Sequence, residues 1–481
     1  MASAAVPRAG APPPAPAPAQ APPREPAPPR EPAWAALTTL MTWLLVVLMT
    51  VPDNFDYARL IEDSGPVTGS VVSRGLWLLL LGIGLLTVLA RGGTSWRVLR
   101  EANGFLLLFV ALGVMSIAWS IEPEITGRRC IRVFTILLDA LALVVAGWHP
   151  RRFQQALRPV ITVLLLGSIV FGVIDPKLAI HQEVSPELIG AWHGLANHKN
   201  SLGAMAAIGA LFWAHAWMAR ETGALKALLG LGIAITCLVL SRSSTSLVTT
   251  MFGTFLLFLL LRGHALRHYL KWFVIVFVAL LTLYTLVTLH VLPGSSLLLK
   301  PIVALTGKDF SFTGRAAIWE IMTDHIRLHP WIGTGLGAYW IGAVTHSPSY
   351  DFMLRIQFYP GSAHNGYLEI LNDLGIAGLA CLLGYLVVYL KQALVLARAD
   401  LAQASLFLVL FLQQAIINLS ESHWFSVLAL GFVIMTFAST ALARLALDRA
   451  GTSPAAATRT AWNPAVVPRR VPAQPGGGRV R

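Results

Sequence analysis

The chain has 481 residues, of which 56% are hydrophobic and only 12% charged, with a net charge of +13. Ordinary soluble domains carry about 25% charged residues, so this composition excludes one and points to a membrane protein. Three cysteines, Cys130, Cys237 and Cys381, offer neither a disulfide framework nor a zinc-binding spacing.

Residues 1–33 are a Pro/Ala-rich tract with scattered Arg and Glu, expected to be a disordered cytoplasmic tail. Residues 34–291 hold nine apolar runs, at 34–51, 74–90, 104–119, 131–148, 157–174, 199–219, 224–240, 244–262 and 270–291. Each is long enough to cross a hydrocarbon core of about 30 Å as a helix. The first is read as a retained span, because Val51-Pro52-Asp53 follows it without a small-residue cleavage site. Residues 292–363 form a long hydrophilic loop, and 364–446 hold three further spans at 365–390, 401–418 and 423–445. Residues 447–481 are a second disordered tail, rich in Gly, Pro, Ala and Arg. The expected fold class is therefore an all-α integral membrane protein of about twelve transmembrane helices, with its large loop between spans nine and ten.

Lys and Arg are retained on the cytoplasmic side of a membrane. Basic loops such as Arg91–Arg100, Arg151–Arg158 and Arg262–Lys271 place themselves inside, and the acidic Asp53, Asp56, Glu62, Asp63 segment outside. Both tails then lie in the cytoplasm and the 292–363 loop in the periplasm. The positive charge reflects topology, and no nucleic-acid partner is expected.

Within the large loop, Ile318, Met322 and Ile326 recur at helical spacing beside Glu320, Asp324 and His325, which predicts an amphipathic helix over 316–328. His329-Pro330 ends it. The following Trp331-Ile-Gly-Thr-Gly-Leu-Gly337 reads either as a tight turn or as a phosphate-binding loop, although no strand precedes it and no Lys-Ser/Thr follows.

Arginines on the outer face run against the charge bias and ask for a reason. Arg128, Arg129 and Arg132 open the fourth span, Lys199 the sixth, Arg242 follows the seventh, and Arg315 lies in the loop. Arg128 and Arg132, four apart, share a helical face. A guanidinium fork suits phosphate oxygens, so a lipid diphosphate accounts for them together; snorkelling to headgroups accounts for each singly. His364 immediately precedes the tenth span on the same side. It either hydrogen-bonds a neighbouring loop or accepts a proton from an attacking sugar hydroxyl. No second ligand stands at metal spacing from it, and Asp53-x-x-Asp56 is a remote candidate for a divalent ion.

Gly314-Arg315-Ala-Ala-Ile-Trp319, His329-Pro-Trp-Ile-Gly-Thr-Gly-Leu-Gly337, Ala363-His364-Asn365-Gly-Tyr-Leu-Glu369 and Gly375-Ile-Ala-Gly378 together resemble the signature region of the O-antigen ligase and Wzy-type polymerase superfamily. The resemblance extends upstream through Asn197-His198-Lys199-Asn200 and Ser241-Arg242-Ser-Ser-Thr-Ser246, and covers about residues 100–440. It implies a GT-C-like, metal-independent glycosyltransferase of the bacterial inner membrane. The implied donor is an undecaprenyl-diphosphate-linked glycan used on the periplasmic side, and no cofactor is expected. By this resemblance His364 activates the acceptor hydroxyl, and Arg315 and Arg242 hold the diphosphate. Arg128, Arg132, His198, Lys199 and Asn365 are candidate substrate-binding residues. The His-Lys-Asn stretch at 198–200 is closer to exopolysaccharide polymerases of the ExoQ type than to lipid A-core ligases, which leaves polymerase as the expectation and ligase as the alternative. A lipid-linked glycan transporter would share the bundle, but would show charges or broken helices near mid-membrane and related halves. Here Asp139 is the charge read as buried in a span, and no internal repeat is visible.

Overall fold

The protein is represented by a computed structural model, which describes residues 32–52, 57, 70–182, 188–263, 272, 315–342, 344–427 and 429–452. Of the predicted ninth span only residue 272 is described, and of the tails only 32–33 and 447–452, where the last helix runs on to Thr452 and so corrects the expected start of the second tail at 447; Asp53, Asp56, Glu62, Asp63 and residues 292–314 lie outside the described residues. So the topological assignment of the large loop rests on sequence alone.

Among the described residues the architecture is all-helical. The principal helices are α1 (Pro32–Thr50), α2 (Val71–Ala90), α3 (Gly92–Glu101), α4 (Gly104–Met115), α5 (Pro123–Val145), α6 (Arg152–Ile174) and α7 (Lys199–Met218). They continue as α8 (Ala224–Leu240), α9 (Ser244–Leu261), α10 (Arg315–Leu328), α11 (Gly366–Ala399), α12 (Leu401–Ile417) and α13 (Leu430–Thr452). Extended pairing is confined to one isolated antiparallel bridge between Ile180 and Trp192.

Among the described residues seven helices are long and apolar enough to cross a bilayer: α1, α2, α6, α7, α9, α11 and α13. The pair α3 and α4 meets the same test jointly, but bends by 102° at Ala102-Asn103. The bend is anchored: Asn103 caps α4 by accepting from the Phe105 N–H, and its Nδ2 donates to the Tyr385 carbonyl on α11. The apolar helices α8 and α12 are shorter, at 17 residues each. The fourth predicted span is α5, which carries Arg128, Arg129, Arg132 and Asp139. Asp139 is buried against α2, where a Cβ added at Gly84 would stand 2.7 Å from its Oδ1.

α7 is the central post, with 83% of its most apolar window buried, and it packs on α6, α8, α9 and α12. Small residues permit this approach. A Cβ at Gly203 would stand 2.6 Å from Ser243, and one at Gly209 would stand 2.8 Å from Leu165. α13 is the second interior helix, 78% buried by the same measure.

The predicted amphipathic helix is α10. Ile318, Trp319, Ile321, Met322 and Ile326 face a separate apolar cluster with Tyr339, Trp340, Phe352 and Ala363, while Glu320 and Asp324 face outward and pair with Arg355. This cluster caps the end of the bundle where α11 begins.

α11 is broken at Gly375, whose φ of 63° and ψ of −160° leave the helical region. The Gly-rich turn after α10 fills the break. Ile376 N–H donates to the Pro330 carbonyl and Ala377 N–H to that of Trp331, while Gly335 N–H donates to the Asp373 carbonyl. Backbone groups freed by the kink are thereby satisfied inside the bundle, as a low-dielectric surrounding requires. A Cβ at Gly333 would stand 2.4 Å from the Asp373 backbone, and one at Gly337 would stand 2.1 Å from the Arg129 side chain. The glycines therefore serve close packing, and the tight-turn reading of this motif prevails.

Candidate active site

Four chain segments far apart in sequence meet at the mouth of α11. Glu421, in the connection between α12 and α13, is the hub. Its Oε1 accepts from Arg315 Nη2 at 3.1 Å and from Asn200 Nδ2 at 2.7 Å, and its Oε2 lies 3.4 Å from His364 Nδ1. Burial raises the Glu421 carboxyl, but the His364 hydrogen bond, the His364 charge and the Arg315 guanidinium outweigh it, and the group titrates at about 2. It is a carboxylate at any ordinary pH, so it acts as an acceptor only. His364 Nδ1 then carries the proton that points at it, which leaves Nε2 as the basic nitrogen.

Local structure fixes each member. Arg315 is the first residue of α10. Asn200 lies in the first turn of α7, behind the His198 cap, whose Nδ1 accepts from the Asn200 N–H. His364 has φ 48° and Arg242 has φ 50°, a left-handed conformation that is costly for residues with a Cβ. Strain of this kind persists where the surroundings over-determine it, and it clusters at functional sites.

The other sequence candidates fall into two groups. Arg242 Nη1 donates to the Ile189 carbonyl at 2.9 Å, and its loop is tied to the hub region because Ser420 Oγ donates to Thr245 Oγ1 at 3.0 Å. His198 is held largely neutral by burial and titrates at about 4. Its ring meets His181 edge-on at 5.2 Å, and the Lys199 N–H donates to His181 Nε2. Asn365 spends its side-chain oxygen on the N–H groups of Tyr367 and Leu368 as the cap of α11, and donates its own N–H to Ser422. Arg128 and Arg132, by contrast, turn away: Arg128 pairs with Glu124 on its own helix, and Arg132 stacks on Trp77 at 5.3 Å.

It is Arg129, between them, that points inward. Among the described residues its guanidinium makes no hydrogen bond, and the carboxylates of Asp373 and Glu369 lie within its field. Glu369 Oε2 accepts from the Ala363 N–H at 2.8 Å and from Ser422 Oγ at 3.0 Å, and Asp373 Oδ2 accepts from the Gly337 N–H at 2.7 Å. Glu421, Asn200, Arg129 and Asp373 were not singled out from sequence. A pocket of about 190 Å³ separates the two clusters and is lined by members of both. Among the described residues no group of three or more His, Cys, Asp or Glu is arranged to hold a metal ion.

The fold and this site define a multi-pass α-helical membrane protein with an Arg-Glu-His constellation at one end of its bundle. Residues 228–383 match the Wzy_C family, described as O-antigen ligase. The chain is also 26% identical over 288 residues to the exopolysaccharide production protein ExoQ of Rhizobium meliloti (strain 1021), a match covering 58% of this chain and 62% of that protein. Over these segments the chain is similar to the O-antigen ligase, Wzy and ExoQ proteins, and it spans less than two thirds of the length of the relative it matches. The family segment contains Arg242, Arg315, His364 and Glu369; Asn200, Arg129 and the hub Glu421 lie beyond it.

Proposed function

We propose that the protein is a GT-C-type glycosyltransferase of the bacterial inner membrane, which moves a glycan from undecaprenyl diphosphate to an acceptor hydroxyl on the periplasmic side. The observation that carries this reading is the His364-Glu421-Arg315 constellation. Glu421 accepts the His364 Nδ1 proton and so orients the ring. Nε2 takes the proton of the acceptor hydroxyl as its oxygen attacks the anomeric carbon of the donor, and the bond from that carbon to the diphosphate breaks. The leaving undecaprenyl diphosphate gains the negative charge, and Arg315 and Arg242 supply fixed positive charge to meet it. Diphosphate is a competent leaving group, so the reaction proceeds without a metal ion.

Polymerisation of an exopolysaccharide is favoured over ligation to lipid A-core, because the chain resembles ExoQ, an exopolysaccharide production protein. The reading includes twelve spans, cytoplasmic tails and a periplasmic 292–363 loop, as the loop charges require. The test is purified protein in nanodiscs with a lipid-diphosphate oligosaccharide. Elongated product supports a polymerase, transfer to lipid A-core supports a ligase, and unchanged substrate moved between leaflets replaces both with a transporter.

A further inference from the structure

We propose that the 190 Å³ pocket between the two clusters is the acceptor subsite and takes a single, uncharged sugar ring. The proposal rests on the glycosyltransferase reading and adds to it where the acceptor lies and what chemistry it has.

Position comes first. The pocket is bordered by Gly361 and Ser362, just ahead of His364, and by Glu421, which holds the His364 ring. A ring seated there lies against the segment that leads into His364, whose side chain is not itself part of the wall. Size comes second. A cavity of roughly 150 Å³ admits one benzene ring, so 190 Å³ has room for one six-membered ring with small substituents.

Charge decides the class of ligand. Arg129 at the wall looks like an anion site, yet the Glu369 carboxylate on the same wall lies in its field, and Glu421 is already paired with Arg315. No net positive charge is left for a phosphate or a uronate. The wall instead mixes donors and acceptors: the Arg129 guanidinium, the Glu369 carboxylate, the Asn197 amide and the hydroxyls of Ser201, Ser362 and Ser422. Such a mixture matches sugar hydroxyls, which donate and accept at once. The Glu369 carboxylate is also pre-organised, because Ala363 N–H and Ser422 Oγ–H both donate to its Oε2.

The experiment uses the full chain in nanodiscs. Saturation-transfer NMR with free glucose, galactose and glucuronate probes the pocket, and a transfer assay with varied acceptor concentration measures its use. Ser201→Leu and Ala204→Leu fill the pocket from one face of α7, and Glu369→Gln removes the charge without changing the size. The expected result is saturation transfer to a neutral hexose and not to glucuronate, lost in the filled variants. The acceptor KM should also rise about tenfold or more in all three variants while donor KM stays within about twofold. Product formation with an unchanged acceptor KM, or stronger binding of glucuronate, overturns the subsite and leaves the transferase reading standing. Hexose binding that the filling variants abolish, with no transfer to any acceptor, upholds the subsite and sinks the transferase. Undecaprenyl diphosphate binding by each variant shows that the fold is intact; if a filled variant loses it, Glu369→Gln decides alone.

Discussion

The imidazole of His364 and the carboxylate of Glu421 stand 3.4 Å apart, joined across 57 residues of sequence. Neither is informative by itself. Together they fix an imidazole whose ring orientation is set from behind, with Arg315 holding the other carboxylate oxygen at 3.1 Å, the arrangement the proposed base requires.

If this pair works as described, His364→Ala abolishes transfer while expression and undecaprenyl diphosphate binding stay near normal, because proton abstraction is lost and recognition is not. Glu421→Gln keeps the shape but loses the charge, and should lower kcat by about a hundredfold or more. EDTA should leave the wild type active. An alanine variant with substantial turnover, or an EDTA-killed enzyme restored by a divalent ion, moves the chemistry elsewhere.

Arg315→Lys and Arg242→Lys retain charge but lose the planar fork. Each should weaken donor binding and cut kcat/KM by about tenfold or more while the protein still inserts. Full activity in both would reduce these arginines to headgroup anchors.

Acid should destabilise the protein in two windows. His198, buried and titrating at about 4, favours the folded state while neutral. Its contribution is complete above the unfolded value of about 6.5 and is lost as pH falls towards 4. Glu421, held at about 2, contributes above its unfolded value of about 4.3 and loses that contribution as pH falls through 2. Thermal melts of detergent-solubilised protein should therefore show a shallower slope between pH 6.5 and 4 in His198→Asn, and below pH 4.3 in Glu421→Gln. Slopes identical to wild type would contradict both assignments.

The turn that fills the α11 break should be intolerant of side chains. Gly333 has φ 62°, and an added Cβ there meets backbone at 2.4 Å. Gly333→Ala should cost more than about 1 kcal/mol, read as a lowered melting temperature. Gly232→Ala on α8, where an added Cβ meets nothing within 4 Å, is the matched control.

Topology is open to a direct check. In a background without Cys130, Cys237 and Cys381, Thr345→Cys should react with an impermeant thiol reagent added to spheroplasts, and Lys226→Cys should not. Both sites are exposed. Equal labelling would refute the orientation.

Much of the helix map was legible, because apolar runs in a membrane leave few alternatives to helix. The last span was placed too early. Residues 423–429 are apolar enough to extend it, yet α13 begins at Leu430, since Asn418 Oδ1 captures the N–H groups of His423 and Trp424 and holds the chain in a loop. Glu421 leaves no signal of its own in the sequence: an acidic residue in a short outer loop satisfies the charge rule without further explanation. The arginines show a limit of a different kind. Helical phase correctly grouped Arg128 with Arg132, but which face turns inward depends on a partner helix, and Trp77 on α2 takes Arg132 to its own side. Arg129, about 100° further round the helix, enters the site.

The seam between the 330–337 turn and the break at Gly375 binds two stretches that are about forty residues apart in the chain. They form one modular unit, because each supplies the backbone partners that the other lacks. Chimeras between relatives should respect that boundary: α11 exchanged without its turn would bring a kink with no plug, while the two exchanged together carry the seam intact.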